Sequence, residues 1–364
     1  MSELEDSRLE INRIDKEMAD LFVKRMHAVG GVAKYKKDHG MQIFDASREK
    51  DVIARNSALI EEQDLKSLYV RFLQDLMDVS KDYQHQLISG IKIAYSGVEG
   101  AFANIAARRI FPDGDHIPYH DFKEAYNSVV SGECEFAVLP IENSNSGEVG
   151  QVMDLMFNGA LYVTGVYSLR VSQNLLGVPG ATLSDIKKVV SHPHALSQCE
   201  DYIERYNFEK IEYNNTARAA REVARLKDKS VAAIASAETA ALYGLEILDH
   251  DINESDVNFT RFAVFSRVAN ESIAEKDSNT FLLMFTVKNE AGALAEAIGA
   301  IGRHGVNMRV LRSRPLKGLA FKYYFYVEAE GQLSSKEVKD MTEDLEKYCG
   351  MLKVLGHYPI EEDF

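Results

Sequence analysis

Between Leu9 and Val29 the apolar residues Leu9, Ile11, Ile14, Met18, Leu21, Phe22 and Val29 recur at helical spacing, and no proline interrupts residues 1–90. The pattern predicts a first long helix carrying Gly30-Gly31, a second starting near Ser47 and a third from about Asp64 to Ile88. Each glycine of the pair costs the first helix about 1 kcal/mol. Three long helices without a strand form a bundle element that a second copy of the chain would complete.

At Gly90 the pattern changes. "IKIAYSG" reads as a buried strand entering a glycine turn, followed by the helical "AFANIAARRIF". "CEFAVLPIENS", "IKKVVSHPHA", "KIEYNNTARAAREVARL" and "SVAAIASAETAALYGL" repeat the theme of strand, polar loop and helix, which predicts an α/β domain with a mostly parallel sheet. The polar clusters fall just after the strands, where such sheets place ligands. "ANESIAEKDSN", residues 269–279, is polar and strand-free, a linker by composition. Beyond it the strands and helices alternate as β-α-β-β-α-β, the ferredoxin-like pattern. The division expected is therefore a helical domain over 1–90, a two-lobed α/β domain over 91–268 and a small α+β domain over 277–364.

Composition narrows the classes. The chain has 364 residues, 46% of them hydrophobic and 27% charged, with a formal charge of −14. That balance excludes a nucleic-acid binder, which needs a basic face, but not an anionic substrate, because a site depends on local charge. "FLLMF" extended through Val287 is far too short to span a bilayer. "MSELEDSRLE" lacks the basic and apolar regions of a signal peptide, so the expected compartment is the cytoplasm. Cys134, Cys199 and Cys349 lack metal-ligand spacing, so no metal, cofactor or disulfide framework is expected.

"NFTRF", residues 258–262, sets a hydroxyl beside a guanidinium at the mouth of an apolar strand. Strand alternation places Asn258, Thr260 and Phe262 on one face and Phe259 and Arg261 on the other. In the helical segment, Asp45, Arg48 and Glu49 share the face of a helix start, and Ser80 and Gln84 share another. Arg25 and Lys36, 11 residues apart, align on an unbroken helix.

Arg8, Arg25, Lys36, Asp45, Arg48, Glu49, Ser80 and Gln84 together resemble the active-site set of the all-helical chorismate mutases. The resemblance implies a concerted rearrangement of chorismate to prephenate without nucleophile or metal, in which arginines grip carboxylates. Arg8 and Arg25 would take that role, Lys36 and Gln84 would donate to the ether oxygen, and Glu49 with Asp45 would bind the hydroxyl. Arg8 and Arg25 lie 17 residues apart, about 25 Å along a helix. One chorismate cannot bridge them, so Arg8 would serve the site of a partner chain in a homodimer, or in a tetramer if dimers pair.

"PIENSNSG", "VVSHP", "AAIAS", "LYGLEIL" and "NFTRF", in this order over residues 91–268, resemble prephenate dehydratase. The family reading makes Thr260 the residue that protonates the departing hydroxyl and Arg261 an anion-binding neighbour. Glu142, Asn143, Ser144, Ser191 and His192 would assist, and Thr216 matches a position near the substrate. The family usually carries hydroxyl residues where Ala101 and Ala103 stand, and glutamine where His194 stands. The C-terminal pattern resembles an ACT domain, which in such enzymes senses phenylalanine. Asn289, Gly292, Ala293 and Leu294 match its glycine loop, and Ser313 and Arg314 its second motif, with Arg312 where the family has glutamate. Two rivals follow from the same residues: an arogenate-preferring dehydratase, and a non-catalytic amino-acid sensor.

Overall fold

The computed structural model describes residues 3–39, 41, 43–255, 257–269, 279–316, 322–359 and 362–363. Most of the linker expected at 269–279 lies outside the described residues. The chain divides into two compact units, 1–92 and 93–364.

The first unit is helical: α1 (Glu3–Asp38), α2 (Ala46–Ser57) and α3 (Gln63–Ser89). Helix α1 runs unbroken through Gly30-Gly31. Asp45 starts α2 by accepting the Arg48 backbone N–H at 3.0 Å. The burial of α1 is uneven. Met26 and Ala33 are buried, whereas Leu9, Ile11, Ile14, Met18, Leu21 and Phe22 of the predicted apolar stripe are all exposed.

Among the described residues the second unit holds three sheets. Its elements in chain order are β1 (Lys92–Ser96), α4 (Phe102–Ile110), β2 (Asp115–Tyr119), α5 (Phe122–Val130), β3 (Phe136–Asn143), β4 (Gly147–Glu148), α6 (Gly150–Asn158), β5 (Tyr162–Arg170) and β6 (Asn174–Gly177). There follow β7 (Lys188–Ser191), α7 (Pro193–Ser197), α8 (Glu200–Arg205), β8 (Glu209–Glu212), α9 (Thr216–Leu226), β9 (Val231–Ala235), α10 (Ala237–Tyr243), β10 (Glu246–Asp249) and β11 (Phe259–Ser266). The last part comprises β12 (Asn279–Val287), α11 (Ala293–Arg303), β13 (Met308–Pro315), β14 (Tyr323–Glu330), α12 (Lys336–Glu346), β15 (Cys349–Pro359) and β16 (Glu362–Asp363).

The first sheet runs β16-β5-β11-β3-β1-β2 with β4 on β3, and the second runs β10-β6-β9-β7-β8. Both are mixed rather than mostly parallel. Strands β1 and β3, and β8, β7 and β9, are parallel, but β11 is antiparallel to β3 and β5, and β6 to β9 and β10. The antiparallel strands adjoin the two crossings between lobes, after β5 and before β11. A strand that enters a sheet without a crossover helix has no need to run parallel. The crossings are tied together where Val171 donates its N–H to the Asn258 carbonyl at 2.7 Å.

The third sheet, β13-β14-β12-β15, is antiparallel throughout. One face buries Phe281, Leu283, Phe285 and Val327 against α11 and α12. The other sets Leu282, Met284, Tyr324, Tyr326 and Tyr358 into one core with Ile141, Val152 and Met156 of the first lobe. A period of two thus feeds two cores. Across this second face runs a chain of charges. Arg261 grips Glu328 through two bonds of 2.9 and 2.8 Å and reaches Glu142 at 3.0 Å, and Arg312 pairs with the other Glu142 oxygen. Glu328 is 1% exposed and also accepts from Tyr326 at 2.5 Å.

Burial acts to raise the Glu328 carboxyl, but the bonds from Arg261 and Tyr326 and the nearby Arg312 charge bring it below its ordinary value. Its stabilising contribution is then fully present above the ordinary glutamate range and is lost as pH falls through its lowered pKa. Glu328→Gln is expected to destabilise this unit by about 3 kcal/mol or somewhat less, because Arg261 keeps Glu142. Denaturant midpoints at neutral pH and near pH 3 test this: the difference between variant and parent should shrink in acid.

Candidate active sites

In the helical unit, Arg25 of α1 donates to the Ser80 hydroxyl of α3 and reaches the Leu76 carbonyl at 3.5 Å. Burial draws the Arg25 guanidinium below its ordinary value. One turn on, Gln84 donates to the Ser80 carbonyl at 3.2 Å, and its buried Oε1 has no partner among the described residues. Glu49 of α2 pairs with Lys81 at 2.8 Å, and Lys81 also meets Asp78 at 2.8 Å. The cluster Arg25–Ser80–Gln84 therefore gathers three of the eight expected residues, and Glu49 meets Lys81, the chain neighbour of Ser80. Lys36 donates to the Ile43 carbonyl at 2.5 Å, Asp45 caps α2, and Arg48 and Arg8 are exposed. Lys81 escaped the sequence reading. Its position beside Ser80, on the face that meets α2, is the signal that could have found it.

In the second unit a cleft of about 500 Å³ opens between the two lobes, a size suited to a small metabolite. The first lobe contributes Ser96 and Gly97 at the end of β1, Ala101 and Ala103 at the start of α4, His120 after β2, Asn143 at the end of β3 with Ser146 beyond it, and Thr260 and Phe262 of β11. The second lobe contributes Gln173, His192, His194 and Gln198, then Asn215, Thr216 and Arg218 around the start of α9. The strands β1, β3, β7 and β8 deliver these loops from their carboxyl ends, as parallel pairs do. Gly97, with φ of 110°, makes a turn that a side chain would strain.

Asn143 and Thr260 face each other across the β3–β11 pair. The Asn143 oxygen takes the Asn145 N–H at 3.0 Å and the Ser146 N–H and hydroxyl at 3.1 Å each. Three donors on one oxygen settle which way the amide points. Its nitrogen then donates to the Asn258 side chain at 2.9 Å, the Phe259 carbonyl at 3.1 Å and the Thr260 hydroxyl at 3.0 Å. An amide N–H can only donate, so Thr260 accepts there and its own proton is left to donate into the cleft.

His192 lines the cleft and accepts the His194 N–H at Nδ1, 3.2 Å away. Burial, with a smaller effect of His194, holds the ring below its ordinary value, so it is neutral at pH 7 with its proton on Nε2. It both caps its turn and presents a donor. Other expected residues are placed elsewhere. Alternation along β3 and β11 turns Glu142 and Arg261 to the opposite face, into the Glu328 network. Ser144 ties its loop to β11, accepting from Phe259 at 3.0 Å and donating to Val257 at 3.1 Å. Ser191 is fully buried and donates to the Ile234 carbonyl at 2.6 Å. Ala101, Ala103 and His194 stand in the cleft wall itself.

In the third sheet, Gly292 (φ of 88°) and Ala293 open α11 next to Leu294, with Asn289 in the preceding loop. Along β13, Arg312 and Arg314 share one face and Ser313 the other. Arg314 pairs with Glu148 of the first lobe and with Tyr324 at 3.1 Å, so it faces that lobe rather than the glycine loop. No group of side chains that could hold a metal occurs among the described residues.

Comparison with known proteins matches both units of the chain. A type II chorismate mutase family model matches residues 7–85, and a prephenate dehydratase model matches 93–270. A bifunctional chorismate mutase/prephenate dehydratase of Escherichia coli K12 is 33% identical, over 97% of this chain and 95% of that one. The solved prephenate dehydratase of Arthrobacter aurescens, in complex with L-Phe, superposes with a TM-score of 0.68 at 28% identity, over 74% of this chain and 90% of that one. GqqA, described as a novel type of quorum quenching acylase, gives 0.68 at 32% identity, over 74% and 97%.

Proposed function

The chain belongs to the bifunctional chorismate mutase/prephenate dehydratases, and from that premise we propose which residues perform its two reactions and how they are regulated. It rearranges chorismate to prephenate, and it converts prephenate to phenylpyruvate with loss of water and carbon dioxide. In our reading Thr260 donates the proton that the departing hydroxyl needs, and Asn143 orients it. The observation that carries this is the one-way hydrogen bond from Asn143 to Thr260 at 3.0 Å. His192, through Nε2, and Thr216 contact the substrate. Ring formation drives the loss of carbon dioxide, so a single donor beside the leaving oxygen suffices. Chorismate added to the purified protein should give prephenate and then phenylpyruvate, and failure of either product to appear would sink the corresponding half.

For the rearrangement, Arg25, Lys36, Glu49, Ser80 and Gln84 form the site, with Arg8 supplied by a second copy in a homodimer. The Arg25–Ser80–Gln84 cluster and the exposed apolar stripe of α1 support that reading. We assign three domains, helical, two-lobed α/β and ferredoxin-like ACT, to a soluble cytoplasmic enzyme.

The third domain acts as a phenylalanine sensor through Asn289, Gly292, Ala293, Leu294 and Ser313. Arg314 and Arg312 act instead as its contact with the dehydratase lobe. The charge chain Arg312–Glu142–Arg261–Glu328 starts and ends in the third domain and passes through Glu142 and Arg261, the chain neighbours of Asn143 and Thr260, so a shift of the sensor reaches the donor pair through the backbone of β3 and β11. Phenylalanine inhibits only if it binds the less active arrangement more tightly. Calorimetry should detect phenylalanine binding, and Arg312→Gln should change its inhibition constant more than uninhibited turnover. No binding at millimolar phenylalanine would leave the domain as a pairing module.

A further inference from the structure

Loss of water and carbon dioxide treats the two carboxylates of prephenate differently. At the ring carboxylate the C–C bond breaks, carbon dioxide departs and the electron pair enters the ring. The C–O bond breaks at the far ring carbon, and one proton joins the leaving oxygen to make water. The side-chain carboxylate passes unchanged into phenylpyruvate. A permanent cation on the ring carboxylate would hold the ground state most tightly and release it as the charge leaves, which raises the barrier. On the side-chain carboxylate the same cation binds substrate, transition state and product alike.

The cleft offers one permanent cation. Among the described residues its lining has no aspartate, glutamate or lysine, and a single arginine, Arg218. Arg218 occupies the first turn of α9, where its backbone N–H caps onto Asn215 at 3.1 Å. It is half-buried, and its guanidinium has no hydrogen-bond or ion-pair partner among the described residues. A partly desolvated guanidinium without an ion-pair partner is a ready partner for an incoming carboxylate. Arg261, the arginine that the sequence put forward, is already held by Glu142 and Glu328 on the other face. Gln173, in the same cleft and 2% exposed, has an amide oxygen without a partner among the described residues, a second polar group suited to a ligand.

We propose that Arg218 binds the side-chain carboxylate of prephenate, the one retained in phenylpyruvate, and so fixes which end of the substrate enters the second lobe. The assignment rests on the dehydratase reading above.

The test compares prephenate kinetics and inhibition by added phenylpyruvate for the full-length parent, Arg218→Met and Arg218→Lys. Loss of a charge-assisted contact should raise KM in Arg218→Met roughly 10- to 100-fold with kcat little changed. The phenylpyruvate inhibition constant should rise by the same factor, and Arg218→Lys should recover part of both. The lysine variant keeps the charge and the helix position, which guards against a misfolded methionine variant. Unchanged KM, or a raised KM with unchanged phenylpyruvate inhibition, overturns the assignment; the latter would put Arg218 on the departing carboxylate. A parent enzyme that releases no phenylpyruvate overturns the dehydratase reading itself.

Discussion

Thr260→Ala is expected to cut prephenate turnover by about 10²–10⁴-fold, the usual cost of removing a positioned proton donor, while chorismate still becomes prephenate. The substitution removes one hydroxyl and one methyl from a strand whose ladder bonds are backbone bonds, so the fold should persist. Thr260→Ser should retain most activity, because the hydroxyl keeps Asn143 as its donor at 3.0 Å. Asn143→Asp is the sharper probe. Its carboxylate could accept the Thr260 proton instead of donating to the oxygen, and it would face three donors already aimed at the Asn143 oxygen. The donor would then point away from the substrate, and turnover should fall as far as in Thr260→Ala at nearly unchanged size. Initial rates of phenylpyruvate formation decide the matter. Near-normal turnover of Thr260→Ala would remove Thr260 from the reaction.

The face that Thr260 occupies could be read from the sequence because strands alternate with a period of two, and the same rule sent Arg261 to the other side. What sequence could not supply was the reason for that arginine. Its partner Glu328 lies 67 residues away, in another sheet, and no local pattern links the two. The prediction of substrate contact for Glu142 and Arg261 followed from their closeness to Asn143 and Thr260 in the chain, and pleating separates such neighbours. Arg218 was overlooked for the opposite reason. An arginine in the first turn of an amphipathic helix reads as solvated until the cleft is seen to contain no other permanent charge. The mixed sheets were missed because periodicity reports burial and not strand direction. The helical region was the most legible, since its spacing predicted all three helices; α1 also shows that an apolar stripe need not be buried within its own chain.

That exposed stripe leads to the second large effect. Arg25→Ala should reduce conversion of chorismate by about 10²–10³-fold, comparable to loss of a donor that stabilises developing charge. Turnover of supplied prephenate should be untouched, because Arg25 belongs to the helical unit. Arg8→Ala should have a similar effect if α1 is shared. Helix α1 is continuous from Glu3 to Asp38, so Arg8 and Arg25 are about 25 Å apart along it, and no bend brings them to one chorismate. Apolar residues between them, such as Ile14, Met18 and Leu21, are exposed in the single chain, where burial by a second α1 would stabilise both. In a two-fold dimer each site would take Arg25 from one chain and Arg8 from the other. Mixing Arg8→Ala with Arg25→Ala chains then leaves one intact and one doubly impaired site in every mixed dimer. With random pairing half the dimers are mixed, so about a quarter of the parental mutase activity should return. Native mass spectrometry would establish that mixed dimers have formed. If they form and the mutase stays silent, both arginines do not act across the pair, and the stripe on α1 serves assembly alone.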